Sequence, residues 1–203
     1  MKRHLLALGL ALAAGTASAQ LAVSSGSEIS FTGYEGTPVS FTGVLNSGVR
    51  NGLIESALGG DLTVTFLGKD NAGHTNTFEI GDVVVNNKTS AVGGSFTTTV
   101  GAGALDFLLT DTTDGDNVGN GGPSSGYASY VLVDVSTLGE ASPAYGKFDF
   151  ILAFNDGATH DADYDDLVVG LSLAPVPEPE TYALMLAGLG ALGFMARRRK
   201  QAE

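Results

Sequence analysis

Twelve residues near the end of the chain, Asn155-Asp156-Gly157-Ala158-Thr159-His160-Asp161-Ala162-Asp163-Tyr164-Asp165-Asp166, carry six potential carboxyl or amide oxygen ligands. The cation such a set suits is Ca2+, a hard ion that takes about six to eight oxygens. Asp161, Asp163 and Asp165 recur at every second position, so in an extended loop they would point the same way. Carboxylates that close repel one another without a cation between them. Asp156, Asp161, Asp163, Asp165 and Asp166 are therefore a candidate Ca2+ site. It is not an EF-hand: counted from Asp161, the sixth position holds Asp166 where glycine is needed, and the twelfth holds Ser172 where a bidentate glutamate belongs. A solvated acidic loop, in which Asp side chains cap local turns, is the other reading of the same residues. A second acidic stretch, Asp111-Thr112-Thr113-Asp114-Gly115-Asp116-Asn117, is either a solvated turn, another ion site or a contributor to the first.

Catalytic signals are poor. Gly122-Pro123-Ser124-Ser125-Gly126 formally matches G-x-S-x-G. A nucleophile elbow, however, follows a strand and opens a helix, whereas this match sits in a glycine-rich loop. Between the two terminal segments only His74 and His160 are present, and H-E-x-x-H is absent. A pair of carboxylates for glycoside hydrolysis is a tertiary property that sequence spacing does not reveal. We therefore assign no catalytic residues and expect a non-enzymatic protein. A secreted hydrolase acting on matrix polysaccharide is the alternative.

The elements that position these loops read as β-strands. In Asp61 to Leu67 the apolar Leu62, Val64 and Phe66 alternate with Thr63 and Thr65, which places the first three on one strand face. Phe148, Phe150, Leu152 and Phe154 repeat that spacing. Further strands are expected over 38–44, 75–85, 95–100, 104–110, 128–135 and 167–173, separated by turn signals such as Asn51-Gly52, Gly59-Gly60 and Asp156-Gly157. The expected fold is all-β, an antiparallel β-sandwich or jelly-roll spanning residues 20–174, its strands alternating between a core face and a wet face. Composition agrees, with 29 glycines and no tryptophan in 203 residues. There is no cysteine, which excludes disulfides and thiolate metal sites. From Gln20 to Val176 the basic residues are Arg50, Lys69, Lys88 and Lys147 against 19 Asp and Glu, a net of −15. Such a surface repels phosphate backbones and attracts divalent cations, so nucleic acid is not an expected partner.

Both termini differ from this middle. Met1 to Ala19 has Lys2 and Arg3, an apolar run from Leu5 to Ala14, and Ala17-Ser18-Ala19. That is the layout of a secretory signal peptide cleaved by signal peptidase before Gln20, with small Ala17 and Ala19 at the two sites the peptidase pocket reads. At the other end, residues 175–203 open with Pro175-Val176-Pro177-Glu178-Pro179-Glu180, expected to be an exposed linker because prolines fix φ and lack amide donors. Thr181 to Ala196 is uncharged and stops at Arg197-Arg198-Arg199-Lys200, the asymmetry of a membrane segment whose tail faces the cytoplasm. A 16-residue helix would be only about 24 Å long, less than the roughly 30 Å hydrocarbon core, so a short transmembrane helix used as a transient hold is expected.

This order of Pro-Glu-Pro motif, apolar segment and arginine cluster resembles the PEP-CTERM sorting signal. The resemblance covers about the last 28 residues, with Pro177, Glu178 and Pro179 matching the motif residue by residue. It implies that an exosortase, a membrane-bound cysteine transpeptidase-like enzyme, recognises that motif and removes the helix. It also implies an exported protein, membrane-anchored before processing, that then resides at the cell surface or in an exopolysaccharide-bearing biofilm matrix. An ordinary single-pass anchor on a proline-rich stalk is the plainer reading. For the β domain, exopolysaccharide is the expected partner and Ca2+ the candidate cofactor. The run Asp161 to Val169 further resembles the close of uncharacterised β domains of exported bacterial proteins, where an Asp-rich loop feeds a final strand.

Overall fold

The alternation of Leu62, Val64 and Phe66 is realised in strand β5 (Gly60–Gly68), which buries those three side chains and leaves Asp61 exposed. The computed structural model describes residues 20–34, 45–69, 72–157, 163–174 and 179–200. Ala17 and Ala19, the strand expected over 38–44, Asp161, Pro177 and Glu178 lie outside them.

The described strands form three antiparallel sheets. Seven strands order as β2 (Ser27–Tyr34), β3 (Leu45–Arg50), β12 (Ser129–Asp134), β13 (Phe150–Asn155), β14 (Leu167–Ala174), β5 and β8 (Ser95–Val100). Four order as β11 (Asn117–Gly119), β10 (Phe107–Asp111), β6 (Asn76–Ile80) and β7 (Val83–Asn86). A small third sheet joins β1 (Leu21–Val23), β4 (Ile54–Ser56) and β9 (Gly103–Ala104). The expected strand over 75–85 is in fact the hairpin β6–β7. Ile80 pairs with Val83 across Gly81-Asp82, and Gly81 takes φ +57°, the left-handed conformation that a two-residue connection with glycine first requires.

One core joins all three sheets. It contains Leu62, Val64 and Phe66 from β5, Phe78 and Ile80 from β6, Phe107 and Leu109 from β10, and Phe150, Leu152 and Phe154 from β13. Burying each such side chain contributes about 1.5–3 kcal/mol. Phe107 sits at its centre, with Phe78 and Tyr130 rings each 5.4 Å away.

The expected wet face holds for β10, where Leu108 is exposed between Phe107 and Leu109, but not for the middle of the large sheet. All six residues of β13 are buried. Its outward Ile151 and Ala153, with Val131, Val133 and Val168, form a second cluster covered by Val135, Leu138, Ala144 and Phe148 from the β12–β13 connection and by Ile29 and Phe31 of β2. That connection starts with a short 3-10 helix, Val135–Leu138, capped by Asp134, which accepts from the Ser136 N–H.

The C-terminal helix α1 runs Pro179–Lys200, 22 residues. It starts two residues earlier than the expected linker allows, because a proline in the first helical turn forfeits no intrahelical hydrogen bond. Among the described residues, no helix is long and apolar enough to cross a membrane. The described apolar side chains of α1, from Met185 to Met195, are exposed, and Arg198 stacks over Phe194 at 5.7 Å.

Candidate functional site

The strand pairings bring both acidic stretches to the same end of the domain. The end of β13 lies beside the start of β14, so Asp156 and Asp166 emerge next to each other from the large sheet. In the four-stranded sheet, Asn76 at the start of β6 is the cross-strand partner of Asp111 at the end of β10. Asn76 Nδ2 ties the two ends by donating to Asp156 Oδ2 at 2.9 Å.

Around that bond the polar groups are buried and connected. Asp111, Asp156 and Asp166 are 1%, 5% and 9% exposed, and Asn76 is 0%. The Asp156 N–H donates to Asp166 Oδ2 at 2.9 Å. Asn87, just beyond β7, accepts from the Asn76 N–H at 2.9 Å and donates Nδ2 to the Asp166 carbonyl at 3.1 Å and the His74 carbonyl at 3.2 Å. Lys88 turns its ammonium to the carbonyls of Ala72 and Gly73.

His74 pairs through Nδ1 with Asp111 Oδ2 at 2.7 Å, and Asp114 Oδ2 lies 3.9 Å away. His74, Asp111 and Asp114 thus converge closely enough to share a metal ion. The hydrogen bond to Asp111 holds the imidazole above its ordinary pKa; burial opposes this, and the charges of Asp111, Asp156 and Asp114 reinforce it. Burial pushes the Asp166 carboxyl up to about 7. The Asp156 N–H works against that shift, and the negative charges of Asp156, Asp163 and Asp165 add to it.

The acidic loop does not run extended through its end. Tyr164 has φ +56° and is buried, its ring edge-on to Phe31 at 5.1 Å, while Asp163 and Asp165 flank it half-buried. The left-handed turn breaks the every-second-residue geometry expected for Asp163 and Asp165. In its place the structure offers a buried set, Asp156 and Asp166 with Asn76, beside His74–Asp111–Asp114. His74, Asn76 and Asn87 carry no motif of their own and enter only through strand register.

In the glycine-rich stretch, Ser124 lies in a turn bridged to Val118, and its hydroxyl accepts from Asn51 Nδ2 at 3.1 Å. Asn120 stitches the small sheet: its Oδ1 accepts from the Ile54 N–H at 2.8 Å, and its Nδ2 donates to the Ile54 and Leu105 carbonyls. Tyr127, 66% exposed, stands at the acidic end, with its N–H on Asp116 Oδ2 at 3.1 Å and its Cβ against Gly157.

Residues 175–200 match the family model described as the PEP-CTERM protein-sorting motif. The chain thus carries the sorting signal of an exported protein directed to an exosortase. Comparison with curated proteins and with solved structures finds no match.

Proposed function

From that sorting motif we propose that the chain is a non-enzymatic surface or extracellular-matrix protein. It is exported behind a signal peptide cleaved after Ala19, held at the membrane by its C-terminal segment until an exosortase acts, and then displayed among exopolysaccharide. The observation that carries this reading is the match over 175–200. The uncharged stretch from Thr181 to Ala196 followed by four basic residues supports a hold with the tail in the cytoplasm. A stretch that short suits an anchor destined for removal. The β domain is the part displayed. Its charge of −15 favours Ca2+ at the acidic end, and through that ion contact with anionic polysaccharide. Tyr127 adds one exposed aromatic face at that end for a sugar ring.

The test is processing in an exosortase-bearing Gram-negative host, following a C-terminal epitope on the full chain. Wild type should lose the epitope as the protein reaches the surface, and the triple substitution Pro177→Ala, Glu178→Ala, Pro179→Ala should retain it in the membrane fraction. Equal epitope loss in both proteins would remove the exosortase from the account.

A further inference from the structure

The seven-stranded sheet ends differently on its two sides. At one end, β2 carries Glu28 and a register irregularity between Ser30 and Tyr34, devices that blunt an exposed sheet edge. At the other end, β8 has neither. Ser95-Phe96-Thr97-Thr98-Thr99-Val100 pairs with β5 in unbroken register, contains no proline, and lies within a stretch from Thr89 to Leu105 that has no charged residue. Among the described residues, no strand pairs with the other side of β8. Its backbone is aimed there. The Phe66 N–H donates to the Gly94 carbonyl at 2.9 Å. Antiparallel alternation then turns Phe96, Thr98 and Val100 toward β5, and the N–H and C=O groups of Ser95, Thr97 and Thr99 away from it. Those three residues are exposed, and Phe96 between them is 37% exposed.

We propose that β8 is a self-association edge: a second copy of this chain adds its own β8 antiparallel about a two-fold axis at Thr97, so that the two seven-stranded sheets run on as one. The occupant follows from what the strand presents. About Thr97 the strand complements itself, Ser95 meeting Thr99 of the second copy and Phe96 meeting Thr98 of the second copy, while the two Thr97 backbones exchange both hydrogen bonds. Hydroxyl pairs already join β5 to β8, Thr65 with Ser95 at 2.8 Å and Thr63 with Thr97 at 3.2 Å, so the ladder on that face continues across the seam. On the opposite face the two Phe96 rings fall on diagonal positions within reach of each other, which covers their exposed surface. Charge selects the same place. Two β domains, each with a net of −15, repel, and a seam without charged side chains lets them meet without setting carboxylates in contact. Asp61, on the hydroxyl face, stands one strand inward and accepts from Thr99 Oγ1 at 2.8 Å. Because the axis joins an edge to its like, the association closes at a dimer.

The experiment is density-matched sedimentation equilibrium of the full chain in detergent micelles, from micromolar to near-millimolar protein. A six-residue seam is small, so the wild type should be monomeric at the low end and dimeric at the high end. Thr97→Lys sets two like charges opposite each other on the axis and should weaken the dimer at least tenfold, as should Thr97→Glu. An equimolar mixture of the two variants should restore it, because opposite charges then meet. The chain has no cysteine, so Thr97→Cys offers a single thiol that a short bis-maleimide should join into dimers. Thr63→Cys, separated from its copy by three strand spacings or about 14 Å, should not react in this way. The thiol pair carries the test should a charged variant fail to fold. A wild type that stays monomeric at near-millimolar concentration would overturn the proposal. So would a dimer that Thr97→Lys and Thr97→Glu leave intact, or equal cross-linking at Thr97→Cys and Thr63→Cys, either of which would move the contact to α1 or another face.

Discussion

Replacing Asp166 by asparagine in Ca2+-free protein should stabilise it above neutral pH and lose that advantage in acid. Asp166 is buried, and its folded pKa of about 7 lies well above the ordinary 3.8. The folded state therefore binds this proton more tightly than the unfolded state. The stability the proton brings is complete below about pH 3.8 and is lost as pH rises through about 7. The difference between about 7 and 3.8, at about 1.36 kcal/mol per tenfold change in proton affinity, sets a ceiling near 4 kcal/mol above pH 7. Water reaching the loop mouth lowers that figure, and asparagine accepts the Asp156 N–H less strongly than a carboxylate by about 1 kcal/mol. A net gain of about 2 kcal/mol remains, about 4–8 °C in the midpoint of a domain this size. The assay is thermal or urea unfolding in EGTA at pH 8 and pH 5. The variant should lead at pH 8, and its lead should shrink by about half or more at pH 5. If Asp166→Asn is less stable than wild type at pH 8, or if the gap does not change with pH, Asp166 is not a buried charge awaiting a counter-ion.

Two further substitutions test the packing that carries the site. Tyr130 is fully buried, its hydroxyl donating to the Gly52 carbonyl at 2.6 Å and accepting from the Gly121 N–H at 2.8 Å, and burial raises its pKa to about 12. Tyr130→Phe leaves both backbone groups unpaired, so urea unfolding should show a loss of about 1–3 kcal/mol. Gly170 lies in β14 directly beneath Phe148, and a methyl group there would sit 2.5 Å from the ring. Gly170→Ala should cost about 1–3 kcal/mol in the same assay, part of which the double variant with Phe148→Leu recovers.

How far the sequence carries can be seen residue by residue. The strands with strong alternation or long apolar runs, β5 and β14, fall where expected because their burial is written in the residues themselves, and β13 does so from Phe150 onward, whereas Phe148, expected on the same core face, lies in the preceding connection and packs on the outer face. The uninterrupted Phe150-Ile151-Leu152-Ala153-Phe154 run already signals burial on both faces. What covers the outer face, Val135 to Phe148, shows no such periodicity. The β6–β7 hairpin is hidden because Gly81-Asp82 interrupts an otherwise strand-like stretch, Thr75 to Val85, by only two residues. In the candidate site, Asp156 and Asp166 are legible as part of an acidic run. Asn76 is not, because its partner Asp156 is 80 residues away and only the pairing of β6 with β10 and the packing of two sheets bring them together. The sorting motif is read almost completely, since it is recognised as a linear signal and needs no fold to assemble it.

The most direct test of the exported, sorted surface protein is the intact mass of the chain recovered from the surface of an exosortase-bearing host. The account predicts a polypeptide that begins at Gln20 and ends near Pro179, without the Arg197–Lys200 tail. A surface chain that retains this tail, or a protein that never leaves the cytoplasm, would contradict it.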